Sequence, residues 1–190
     1  MAERVHNAAS DALRVVSVLH QLTLESSLSE NRKELVFRIL NRSIALARYD
    51  RASLWDMDRK KPQFLGVSGQ SRVDKNSELV AEWKDVVTHL SKLDKPTVLS
   101  QEHFENSPEL YEKLVERTSG LSLLWLPIMS RKRLAAGVLV ERWGQRTWAE
   151  ADVKLMHTLA MAYGGAWEKF DRARPLAERL KRAASRNKIL

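Results

Sequence analysis

At 190 residues, with 44% apolar and 29% charged side chains, the chain has the balance of one globular domain with helical extensions, not of a disordered segment. Cysteine is absent, which excludes disulfides, thiolate nucleophiles, thiolate zinc sites and any chromophore held through a thioether. The net charge of +8 is uneven: residues 171–190 carry seven basic and two acidic side chains, hence five of the eight charges. The basic balance therefore describes a tail, and no specific nucleic-acid binding is expected of the body.

In chain order, Ala9, Ala12, Val16 and Leu19 recur at three- and four-residue steps and predict a first amphipathic helix over 4–24. "SLSENRKEL" breaks and restarts the chain, with Ser29 expected as the cap of a second helix reaching about Tyr49. "RASLWDM" alternates as a strand, Ala52 and Leu54 on one face and Ser53 and Trp55 on the other, and "QFLGVSG" reads as its antiparallel partner. Leu79, Trp83, Val86, Val87 and Leu90 predict a third helix. "DKPTVLS" reads as a short edge strand with Pro96 at its start. A helix capped by Ser107 with Pro108 in its first position follows. Two long apolar strands, 121–129 and about 133–143, flank the turn "SRKR"; strands this apolar are covered on both faces. Thr147 is expected to cap the last core helix, with Glu150 and Asp152 in its first turn, and Pro175 to separate it from a final basic helix.

Several of these segments resemble the GAF domain family: Leu126-Pro127-Ile128, the Ser130–Arg133 turn, Gly137-Val138-Leu139, Trp148, Glu150-Ala151-Asp152, "LMHTLAMAYGGAWE" and the entry "ALARYDRASLWDMD". The likeness spans roughly residues 28–170 and rests on packing residues, so it speaks to fold more than to function. It implies an α+β, three-layer sandwich: a central antiparallel sheet of five or six strands, with the terminal helices packed on one face and a pocket on the other. The organisation expected is a packing or dimerisation helix at 1–27, a GAF-like domain at 28–170, and a basic connector or juxtamembrane tail at 171–190. The turn departs from the family pattern, which usually contains glycine, and its three consecutive basic residues read as surface.

Chemistry is sparse. No phosphate-binding glycine loop, dinucleotide fingerprint or nucleophile elbow is present. The cysteines of the family's sulfoxide-reductase and bilin-binding branches are missing, and the pattern of its cyclic-nucleotide binders is not visible. His6, His20, His89, His103 and His157 form no metal-spaced pair, so no metal site is expected; Asp50, Asp56 and Asp58 read as solvated salt-bridge partners. Trp55, Phe64, Trp83 and Trp125 come from segments that surround the pocket face in the family, and Tyr111 is a polar pocket candidate beside them. They either line a ligand pocket or simply fill it. Arg51, Arg72 and Arg117 are the polar anchors nearby, and each reads as surface. In the tail, Arg172, Arg174, Arg179, Lys181, Arg182, Arg186 and Lys188 surround Leu176 and Leu180 at helical spacing. Such a segment serves as a connector to an output module, as a contact to anionic lipid, or as a solvated helix.

The opening residues lack the apolar core of a secretory leader and no apolar run reaches bilayer length, while the basic tail read as a juxtamembrane flank places the domain on the cytoplasmic side, so a cytoplasmic, membrane-proximal location is expected. The function expected is a non-enzymatic sensory or regulatory domain, a homodimer, binding a small ligand of unknown identity or a partner and signalling through its terminal helices. The alternative is a structural interaction domain with a filled pocket, the cytoplasmic part of a membrane-anchored transport or secretion protein.

Overall fold

The apolar strands read from the sequence pair into one antiparallel sheet in the computed structural model, which describes residues 2–58, 60–74, 77–117, 122–144 and 147–186. Strands β1 (Arg51–Asp56), β2 (Gln63–Val67), β3 (Thr97–Val98), β4 (Ser122–Ser130) and β5 (Arg133–Arg142) lie in the order β2-β1-β5-β4-β3. The helices are α1 (Ala2–Ser27), α2 (Arg32–Arg42), α3 (Glu78–Leu90), α4 (Pro108–Arg117) and α5 (Glu150–Arg186). Period-two alternation sends Ala52, Leu54, Val138 and Val140 to the face covered by α1, α2 and α5. The other set, Trp55, Trp125 and Leu139, packs beneath α3, α4 and the turn around Phe104. Both faces are covered, which explains why β4 and β5 are apolar at nearly every position.

The β4–β5 hairpin is the scaffold of the sheet. Its two turn residues, Arg131 (φ 50°) and Lys132 (φ 62°), are exposed and left-handed, the twist that a two-residue hairpin requires. Glycine would meet that need without strain; here Arg131 is held by Glu168 at 2.9 Å and Arg133 by Asp58 at 2.9 Å. Pro127 lies opposite Gly137 in the register, just past the point where pairing to β3 ends at Thr97 and Trp125. At that open edge its missing N–H costs no ladder bond.

The helix boundaries depart from expectation in four places. Asn31, not Ser29, caps α2: its Oδ1 accepts the Glu34 amide at 3.0 Å, and the Glu34 carboxylate accepts the Glu30 amide at 2.8 Å. Ser29 is buried instead, its hydroxyl turned back to the Glu25 carbonyl and its own carbonyl taking Lys169 Nζ at 3.0 Å. α2 stops at Arg42 and a 3₁₀ turn, Ser43–Ala45, carries the chain toward β1, with the Ser43 hydroxyl bonded across to Tyr163 at 2.7 Å. α5 opens at Glu150, and Thr147 contributes its carbonyl to Arg142. Pro175 does not end it: α5 runs unbroken for 37 residues, roughly 55 Å at 1.5 Å per residue. Proline removes one helical hydrogen bond, and the neighbouring Ala, Leu, Glu and Arg residues are strong enough helix formers to carry the helix past it.

α1 and α5 run side by side in the same direction. Arg14, Val15 and Val18 lie beside Arg48, whose carbonyl shares Arg142 with Asp152 at the start of α5. Farther along, Ser29 meets Lys169. The side chains of Arg172, Arg174, Arg179, Lys181, Arg182 and Arg186, and all of Lys188, lie outside the described residues.

Candidate functional site

The α3 side of the sheet carries the aromatic residues singled out from the sequence. Cross-strand pairing sets Arg51 beside Glu141, Ser53 beside Leu139 and Trp55 beside Gly137, with Trp125 next to Leu139 on the far side. Gly137 is the residue that lets this face close: a Cβ there would sit 1.9 Å from Trp125 Cη2, so the indole lies directly over the strand. Trp55 and Trp125 are fully buried. Each indole N–H has an internal acceptor, Trp55 to Ser53 Oγ at 3.1 Å and Trp125 to the Leu93 carbonyl at 3.2 Å. Phe64 meets Trp55 edge-on at 5.2 Å.

Between β1, β2 and α3 lies a cleft of about 70 Å³ walled by Trp55, Phe64 and Trp83, with Arg51, Ser53, Gln70 and Glu141 as its polar groups. Small-molecule sites more often measure ~300–1,000 Å³. The structure thus brings Trp55, Phe64 and Trp83 together, while Trp125 is buried in the same aromatic core and does not line the cleft. Tyr111 does not join them; it packs at 5.5 Å on Phe104, which stacks at 4.8 Å on His89 under α4. Arg72 is exposed on the loop after β2, and the Arg117 side chain lies outside the described residues.

Arg51 is not a free surface group. Its guanidinium clamps Glu141, Nε to Oε1 at 2.8 Å and Nη2 to Oε2 at 2.8 Å, and lies 5.8 Å from the Trp143 ring. The Trp143 indole donates to the same carboxylate at 3.4 Å. Glu141 is only 1% exposed and was missed in the sequence reading. The available signal was "VLVERW", an acid and a base ending a strand of apolar residues, where alternation must send one charge to each face.

The other charge, Arg142, is also buried and points to the opposite layer. It donates to the Arg48 carbonyl at 2.8 Å, the Thr147 carbonyl at 2.9 Å and Asp152 Oδ2 at 2.7 Å, with Trp148 stacked at 3.8 Å. Consecutive residues of β5 therefore join the cleft on one face to the first turn of α5 on the other.

The acids flanking β1 do not converge. Asp50 accepts the Trp143 amide at 2.7 Å, Asp56 pairs with Arg32 at 2.8 Å, and Asp58 pairs with Arg133. Among the described residues no cluster of three metal-binding side chains occurs, and no helix is long and apolar enough to cross a membrane. His103 serves the turn at Gln101–Phe104, its Nδ1 accepting the Ser100 amide at 3.1 Å.

No protein-family profile and no curated protein matches the chain. Solved structures do. The GAF domain of a phosphoenolpyruvate-protein phosphotransferase from Coxiella burnetii superposes with a TM-score of 0.59 at 17% identity, over 88% of this chain and 98% of that one. The GAF domain of a putative sensor histidine kinase from Pseudomonas syringae pv. tomato gives 0.58 at 13% identity, over 94% and 99%. The chromophore-binding domain of a bacteriophytochrome from R. palustris gives 0.61 at 10% identity, over 88% of this chain and 63% of that one.

Proposed function

We propose that this chain, whose fold is that of GAF domains, works as a non-catalytic regulatory domain whose α3-side face is read out through α1 and α5. The observation that carries this reading is the adjacency of Glu141 and Arg142. Any occupant of the cleft touches the Arg51–Glu141 pair, and the next peptide unit of β5 holds the N-terminus of α5 through Arg142 and Asp152. Packed interiors respond to such local changes by shifting between discrete arrangements.

The outward face of the helix pair gives this signal somewhere to go. Leu13, Val16 and Leu24 on α1 and Met161 on α5 are exposed apolar side chains on neighbouring parallel helices. A second copy of the chain is the occupant we assign to them, forming a dimer through the helix pair. Hydrogen exchange tests the coupling. Glu141→Gln is expected to speed amide exchange at 150–156 while leaving α3 and α4 protected; unchanged exchange there rejects the pathway. Sedimentation tests the dimer, with Leu13→Glu and Met161→Glu expected to yield monomers.

A second reading is favoured by the small cleft. With Trp55 and Trp125 buried and their N–H groups satisfied, the face suits a filled interaction domain that answers to a partner protein instead of a metabolite. Thermal shift against nucleotides, haem and small aromatic acids separates the two. A ligand that stabilises wild type but not Trp83→Ala supports the sensory reading, and uniform silence supports the filled one.

A further inference from the structure

We propose that the open edge of β2, with the groove between it and α2, is a docking site for an extended acidic segment of a partner protein. β2 is the end strand of the sheet, so the outward backbone groups of Gln63–Val67 have no strand partner among the described residues. Exposed edges of this kind are normally blunted by charge, proline or a covering element. Here the central edge residues are Phe64, Leu65 and Gly66, and the groove of about 940 Å³ beside them is open.

The opposite wall is one face of α2. Lys33, Phe37 and Asn41 recur every fourth residue and line the groove with Val36 and the buried Leu40 at its base, while Leu35 and Ile39 are buried in the core. Phe37 is 61% exposed, an aromatic ring presented to solvent in the middle of a concave surface. Asn41 closes one end by accepting the Gly69 amide at 2.9 Å. The five-residue edge is roughly 17 Å long at ~3.4 Å per residue, room for a strand of similar length.

Charge decides the class of occupant. Lys33 and Arg72 line the groove, no aspartate or glutamate among the described residues does, and Lys60 and Lys61 are exposed at the head of the strand. A strand that alternates carboxylates with apolar residues would pair its backbone with β2, set its apolar face against Phe37 and Val36, and meet Lys33 and Arg72 with its acids. The site is on a different part of the molecule from the helix-pair face and stands whether or not that face dimerises.

Fluorescence anisotropy with a short synthetic peptide alternating glutamate and valine, and its lysine–valine counterpart, tests the assignment on the full chain. The acidic peptide is expected to bind saturably and the basic one not, with amide exchange slowed at 63–67. The surface double variant Lys33→Glu/Arg72→Glu is expected to weaken the acidic peptide about tenfold and admit the basic one. Phe37→Ser, also outside the core, is expected to weaken the acidic peptide without changing the charge preference. No saturable binding, or binding that leaves exchange at 63–67 unchanged, overturns the proposal. Self-association of the chain that the double variant abolishes would do so too, assigning the edge to a second copy.

Discussion

Adjacent glycines in "AYGGAW" provide a test in which one methyl group has opposite effects at neighbouring positions. A Cβ on Gly164 would lie 2.1 Å from the Met129 carbonyl oxygen and 3.1 Å from its carbon. The obstacle is strand backbone close to the hairpin turn, so relief requires α5 to lift from β4 by about 1 Å, loosening Tyr163 and Trp167 from the layer below. Overpacking of this sort costs ~1–3 kcal/mol or more, against a gain of about 1 kcal/mol from replacing glycine in a helix. With a backbone atom as the obstacle the upper end of that cost applies, and Gly164→Ala is expected to lose about 2 kcal/mol. Gly165 is exposed, and a Cβ there meets nothing within 4 Å. Gly165→Ala keeps the helical gain and is expected to stabilise by ~0.5–1 kcal/mol. Thermal unfolding measured on both variants reads the difference, a Tm gap of roughly 6–12 °C for a chain of this size. Equal stabilities, or a Gly164→Ala protein as stable as wild type, would refute the close approach of α5 to β4.

Lys132→Gly removes one left-handed non-glycine residue from the hairpin turn and is expected to stabilise by ~0.5–1 kcal/mol in thermal melts, the relief of strain exceeding the added chain entropy. Arg142→Met keeps the stem but orphans the Arg48 and Thr147 carbonyls and the Asp152 carboxylate, and is expected to cost ~3 kcal/mol and to raise exchange at the start of α5. The α1–α2 junction carries an acid-sensitive contact: Arg42 hydrogen-bonded to Glu25 holds that carboxyl below the usual value of 4.5. A carboxyl lowered on folding adds stability that is present above its unfolded pKa and lost as pH falls through the folded one. The stability gap between wild type and Glu25→Gln, followed by melts from pH 7 downward, is expected to be full at neutral pH and to close below 4.5.

Much of the architecture was legible because it follows from local periodicity. Alternation in "RASLWDM" sorted Ala52 and Leu54 from Trp55 before any partner was known, and the unbroken apolar runs of β4 and β5 required cover on both faces. Asn31 caps α2, and the Ser29 hydroxyl turns back to the Glu25 carbonyl while its own carbonyl takes Lys169 from far along the chain, a contact no local pattern encodes. Helix α5 passed Pro175, where a propensity rule alone stops.

For the site, the chain by itself determined which residue types were at hand: indoles in strands, no cysteine, a charged pair closing "VLVERW". Only the fold decided that Trp125 lies over Gly137, that a cleft of about 70 Å³ remains beside Trp55, Phe64 and Trp83, that Arg51 is spent on Glu141, and that Tyr111 belongs to another aromatic group. Period-two geometry is local, since each residue's face follows from its neighbours. Whether a cavity stays open depends on side chains meeting from strands remote in sequence, where a single absent Cβ settles the outcome.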